Sequence, residues 1–234
     1  MITENKIIKA EKKVDITHIN KLVKKNAEEV ATHLNGKWAF QNDEQDKKTN
    51  FIYQSDDSDD ILFEYKKYKN FEINYAMQRF YNYLTSTQIE NIFCSYKGCE
   101  PEKDKKNKEV DFWIFEKPFD LKVTSFPKKF TGTRKDFKSD RLYRNALIEW
   151  FYKNQSKEQR NLNQNRIFLV CQDGDGKVQL KNQLLKKEFL EIDLLVQKFM
   201  DYHLTRKNEN EENIFNTVNI DGKEILSEII FYKK

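Results

Sequence analysis

The sequence predicts an α/β fold, a mixed central sheet flanked by helices, with a helix ahead of the core and a helix plus hairpin after it. Three observations carry this. Apolar residues recur at steps of three and four over several long stretches, the period of a helix with one buried face. Val110 to Thr124 and Ile214 to Tyr232 each read as strand, tight turn and return strand. Arg166-Ile167-Phe168-Leu169-Val170-Cys171 is a nearly unbroken apolar run of strand length, the pattern of a strand covered on both faces.

The 234 residues suffice for one domain with a full core. We divide it into an N-terminal helical extension (1–60), a central core (61–175) and a C-terminal helix and hairpin (176–234). Residues 15–36 read as a helix in which Ile16, Ile19, Val23, Ala27, Val30 and Leu34 form one stripe. Asp15 or Thr17 can cap its start and Gly36 ends it. His18 and His33 have no carboxylate or thiol at ligand spacing and read as surface residues. Gln41 to Asp60 is polar, and its run Asp56-Asp57-Ser58-Asp59-Asp60 reads as a solvated loop, because consecutive acids repel and point apart.

A second helix is expected over Tyr68 to Leu84, then an extended stretch from Ile89 to Tyr96 and a charged loop from Lys97 to Glu109. In the first hairpin the turn is expected at Glu116-Lys117-Pro118. A basic stretch, Lys128 to Arg144, leads into a helix from about Lys138 to Lys153. Asp173-Gly174-Asp175-Gly176 resembles the start of a calcium loop, but Leu184 stands where the twelfth-position Glu would be, so a turn is expected. Asn182 to Tyr202 reads as a third long helix, and Asp221-Gly222 as the turn of the closing hairpin.

Composition removes several functional classes. No apolar run approaches bilayer length, and Met1 to Lys13 lacks the apolar segment of a secretory signal. Cys94, Cys99 and Cys171 have neither paired spacing nor a His at ligand distance, so a disulfide framework, a zinc site and a thiol nucleophile are all unsupported. A reduced, soluble, cytoplasmic protein with no membrane partner is expected. There is no glycine-rich phosphate loop. The 42 basic and 38 acidic residues nearly balance, so the distribution of charge is more informative than its sum.

The first hairpin carries the chemistry. Side chains alternate along a strand, so Asp120, Lys122 and Thr124 share one face while Leu121 and Val123 take the other. Asp111 begins the neighbouring strand, and a short turn can bring its carboxylate beside Asp120. Two carboxylates held together repel unless positive charge lies between them. A hard divalent cation takes such oxygen ligands, lowers the pKa of a bound water and neutralises charge on an attacked phosphate. Lys122, beside that water, can orient it or steady the developing negative charge.

The stretch Val110-Asp111 through Asp120-Leu121-Lys122-Val123-Thr124-Ser125 resembles the PD-(D/E)xK nuclease superfamily. The likeness spans roughly Tyr68 to Cys171: a helix with an acid, two strands bearing the Asp and the acid-x-Lys, a helix, then a buried strand. Val110 replaces the motif's proline, and Asp120 stands where Glu is more frequent. The resemblance implies a restriction-endonuclease-like fold and a Mg2+-dependent DNA endonuclease, with Mn2+ as a substitute cation, RNA as an alternative substrate and a homodimer as an assembly. Asp111, Asp120 and Lys122 would be catalytic, with Asp111 and Asp120 binding the metal. The helix acid matches Glu72 best, with Glu64 and Glu90 as alternatives. Lys128, Lys129, Arg134, Lys135, Lys138, Arg141 and Arg144 would contact phosphates, with Phe130, Phe137 and Tyr143 interleaved. The competing expectations are a non-cleaving nucleic-acid-binding protein on the same fold and a protein-interaction module.

Overall fold

A computed structural model describes residues 8–34, 36–104, 106–107, 109–154 and 164–234. Six strands form one mixed sheet, flanked by helices, in the order β1-β2-β3-β4-β6-β5. They are β1 (Cys99–Pro101), β2 (Phe112–Ile114), β3 (Lys117–Ser125), β4 (Arg166–Gln172), β5 (Thr217–Ile220) and β6 (Lys223–Lys233). β2 runs antiparallel to its neighbours β1 and β3, β3, β4 and β6 are parallel, and β5 returns antiparallel to β6. The apolar run is thus the middle strand β4, buried from Arg166 through Cys171.

Alternation along β4 sorts the core into two layers. Ile167, Leu169 and Cys171 join Phe112, Phe119 and Leu121 beneath the helices α4 (Ile73–Cys94) and α7 (Phe189–Asn208). Phe168 and Val170 point the other way, onto Leu147, Phe151 and Tyr152 of α5 (Asp140–Asn154). Phe168 stacks on Phe151 with ring centroids 4.9 Å apart. A third cluster joins α1 (Thr17–Thr32), α3 (Ser58–Tyr68) and the first half of α4 through Val30, Ile61, Met77 and Phe80.

Several elements depart from the sequence expectation. The second helix starts at Ile73 and runs to Cys94, so most of the stretch expected to be extended is helical. Ile89, Ile92 and Phe93 continue its buried stripe at steps of three and one, and a short apolar run alone cannot distinguish helix from strand. The acidic run is a helix start rather than a loop. Asp57 caps α3 by accepting the N–H groups of Asp59 and Asp60, where the orphan amides and the helix dipole favour carboxylates. A short helix, α2 (Asp43–Lys48), also interrupts the polar segment, capped by Asn42. The third long helix is split into α6 (Gln179–Leu184), a 3-10 turn over Leu185–Lys187, and α7.

The first hairpin turns at Phe115-Glu116, one residue earlier than expected, with φ of 46° and 69° and Ile114 paired to Lys117. Phe115 is held there by Gly98, whose φ is +89° and whose Cβ, were one present, would lie 2.2 Å from the ring. The closing hairpin turns at Asp221-Gly222, both at positive φ, as a two-residue turn requires. β6 is an internal strand, in register with β4 through Phe168 and Ile229, so the C-terminal segment completes the sheet. Among the described residues no helix is long and apolar enough to cross a membrane.

Candidate active site

The hairpin sets the first two acids face to face. Extending the register of Phe112 with Phe119 by one step puts Asp111 opposite Asp120, and the Asp111 N–H donates to the Phe119 carbonyl at 2.9 Å. β2 begins at Phe112, so Leu121 on β3 meets no further β2 residue, and its N–H donates to Asp111 Oδ2 at 2.6 Å instead. The carboxylate of Asp111 therefore completes the ladder and is fixed beside the acid-x-Lys strand.

Asp120 is 4% exposed. Lys122 donates to its Oδ1 at 2.6 Å, and Arg166, its register partner on β4, donates from Nε to Oδ2 at 2.9 Å. The two cations differ in freedom. The Lys122 side chain is 42% exposed, whereas that of Arg166 is 8% exposed and lies over the Tyr152 ring, 4.9 Å from its centroid. Lys122 can withdraw into solvent, but Arg166 cannot leave without abandoning a buried carboxylate.

Of Glu64, Glu72 and Glu90, it is Glu90 that stands near the hairpin acids. It lies in the last turns of α4, half-buried, within electrostatic reach of Asp111, Lys122 and Asp120. Burial, reinforced by the charges of Asp111 and Asp120 and opposed by Lys122, pushes its carboxyl up to about 7. Asp111 is also raised, chiefly by burial and then by Asp120, against the Leu121 hydrogen bond and Lys122. Glu72, the residue favoured from sequence, is not in this group. It precedes the first turn of α4, its N–H held by Gln45, and eighteen residues of helix separate it from Glu90 by about 27 Å. The helix expected to end at Leu84 continues to Cys94, and this brings Glu90 onto it. Glu64 lies on α3, in the separate α1–α3–α4 layer.

Among the described residues no three His, Cys, Asp or Glu side chains are gathered closely enough to hold a metal ion as they stand. Both Asp120 oxygens are taken by cations. The donor set nonetheless suits a hard divalent cation. The Glu90 side chain makes no hydrogen bond among the described residues, Asp111 has one oxygen committed, and Asp120 would gain one if Lys122 withdrew. All donors are carboxylate oxygens whose mutual repulsion a cation relieves.

The basic stretch divides into two kinds of residue. Lys128, Lys129, Lys135 and Lys138 are exposed. Lys128 follows Lys122 by six residues, so it lies no more than about 22 Å away. Arg134 and Arg144 are tied into the fold: both pair with Asp140, and Arg144 also donates to the Ile229 carbonyl at 2.7 Å. Arg141 and Arg144 line a cleft of about 920 Å3 between α5, α7 and β6, together with Lys198, His203, Arg206 and Glu228. None of Glu90, Asp111, Asp120 and Lys122 lines that cleft.

Reasoning from sequence missed Arg166, because its role depends on the parallel pairing of β3 with β4. The only signal was a charged residue opening an apolar run. Compared with protein-family models, with curated proteins and with solved structures, the chain matches none.

Proposed function

We propose that this chain is a divalent-metal-dependent nuclease of the PD-(D/E)xK type, with a restriction-endonuclease-like core, that hydrolyses phosphodiester bonds in DNA. The observation that carries the reading is Asp111 opposite Asp120 on the hairpin, with Lys122 donating to Asp120 and Glu90 of α4 within electrostatic reach. The order of helix, antiparallel hairpin, helix and parallel buried strand supports it, since that is the superfamily's arrangement.

Glu90, Asp111 and Asp120 would hold a cation such as Mg2+ or Mn2+, which when bound acidifies water and neutralises charge on the phosphate. Lys122 stands next to Asp120, half-exposed, where its ammonium can orient the attacking water and steady negative charge developing on a phosphate oxygen. Phe112, Phe119 and Leu121 pack into the core behind the acids and fix the strand. Lys128, Lys129, Lys135 and Lys138, free of ion pairs among the described residues, supply positive charge for a phosphate backbone.

The test is relaxation and cutting of supercoiled plasmid with Mg2+ or Mn2+, against EDTA and against Lys122→Ala. Metal-dependent cleavage lost in the variant is the expected result. DNA binding without cleavage by the wild-type chain in either metal would replace this reading with the non-cleaving one.

A further inference from the structure

The spacing of the three cysteines does not mark a pair, but the fold makes one. Cys94 closes α4 and Cys99 opens β1, and their sulfurs stand 3.8 Å apart. The turn between them is tied down at several points. The Ser95 carbonyl accepts the Lys13 N–H at 2.7 Å, and the Lys97 N–H donates to the Glu11 carbonyl at 2.8 Å. The Cys99 N–H donates to the Tyr96 carbonyl at 3.2 Å. Tyr96 is buried, and its hydroxyl donates to Asp193 Oδ1 at 2.8 Å. The backbone therefore holds the two thiols in contact, and a bond between them would close only the short turn from one to the other.

The pair is asymmetric. Cys94 is half-buried, whereas Cys99 is fully buried. The Cys94 sulfur, reinforced by burial, pushes the Cys99 thiol up. A thiol must lose its proton to act as a nucleophile, so Cys94 is the sulfur that a small oxidant meets first. Cys171 lies on β4, fully buried, and makes no sulfur contact among the described residues.

We propose that Cys94 and Cys99 form a reversible oxidation site, which hydroperoxides close to an intrachain disulfide and dithiols reopen. First the Cys94 thiolate attacks one oxygen of the hydroperoxide and the O–O bond breaks. The sulfur gives up two electrons and becomes a sulfenic acid, and the other oxygen leaves as water or an alcohol. The Cys99 sulfur then attacks the Cys94 sulfur. The S–S bond forms, the S–O bond breaks, and the hydroxyl leaves as water with the Cys99 proton. A disulfide holds its sulfurs about 2.05 Å apart, so side-chain rotation has about 1.8 Å to close. The link joins the end of α4, the helix that carries Glu90, to the edge strand β1. It needs neither the metal nor the phosphate substrate proposed above.

The test uses the folded full chain, treated with a small excess of hydrogen peroxide, alkylated and digested with trypsin. Lys97 lies between the two cysteines, so trypsin separates their peptides unless a disulfide joins them. The expected result is a linked pair carrying Cys94 and Cys99. Free thiols are expected to fall from three to one, and to return to three after dithiothreitol. Cys99→Ser is expected to hold Cys94 as a sulfenic acid, captured by dimedone, and Cys94→Ser to leave Cys99 a thiol at the same dose. Circular dichroism checks that both variants are folded, and the wild-type peptide map decides if either is not. Cys171 oxidised as readily as the pair, links between chains, or Cys94 carried to a sulfinic acid beside an unreacted Cys99 overturns the proposal. Retention of all three thiols overturns it as well.

Discussion

Replacing Glu90 by Gln keeps the shape of the side chain and removes its charge. Burial beside Asp111 and Asp120 raises the Glu90 carboxyl from 4.5 to about 7. A folded-state pKa above the unfolded one means that the folded chain binds the extra proton, so stability declines as pH rises from 4.5 through 7 and stays low above it. Two and a half pH units correspond to about 3 kcal/mol, nearly all of it present at pH 8 and less than about 1 kcal/mol of it at pH 5. Without added divalent cation, Glu90→Gln is therefore expected to be more stable than wild type at pH 8 by about 3 kcal/mol and nearly equal to it at pH 5. Urea denaturation of both proteins at the two pH values measures this, and taking the difference cancels the other titrating groups. A stability difference independent of pH, or a variant less stable than wild type at pH 8, would refute the placement of Glu90 against the two aspartates.

Two further outcomes follow from the same structure. Lys129→Ala with Lys135→Ala is expected to weaken DNA binding at low salt, and to lower the slope of log affinity against log salt by about 2, without changing sequence preference. Titrations at several salt concentrations measure both. Gly98→Ala is expected to cost on the order of 2 kcal/mol in thermal or urea unfolding, because its φ is +89° and the new methyl would meet the Phe115 ring at 2.2 Å.

The parts of the site legible in the sequence are those fixed by local periodicity. Asp120 and Lys122 fall on one face because strands alternate, whereas Asp111 comes opposite Asp120 only because the turn falls at Phe115-Glu116, one residue earlier than the sequence suggests. The buried strand β4 was legible because its apolar run is too short for a buried helix and carries Ile, Phe and Val, residues that suit a strand covered on both faces. Glu90 and Arg166 depended on other information. Glu90 required knowing that α4 continues through Ile89 and Phe93, which look alike as helix or strand. Arg166 required the parallel register of β3 with β4, a pairing across forty-odd residues that no local pattern encodes. The acidic run at Asp56 to Asp60 looked like a solvated loop because a capping carboxylate and a loop carboxylate are the same residue until the helix behind it is known. The pairing of Arg134 and Arg144 with Asp140, and of Arg144 with the Ile229 carbonyl, likewise depends on the fold and is not encoded in the basic stretch itself.

The central claim is that Glu90, Asp111, Asp120 and Lys122 form one hydrolytic site. Cleavage of supercoiled plasmid by Glu90→Gln and Glu72→Gln, side by side with wild type in Mg2+ and in Mn2+, tests it most directly, since the two acids lie at opposite ends of one helix. The expected result is metal-dependent cleavage by wild type and by Glu72→Gln, with at least a hundredfold loss in Glu90→Gln, about 2.7 kcal/mol of transition-state stabilisation. Full activity of Glu90→Gln, or loss confined to Glu72→Gln, would contradict it.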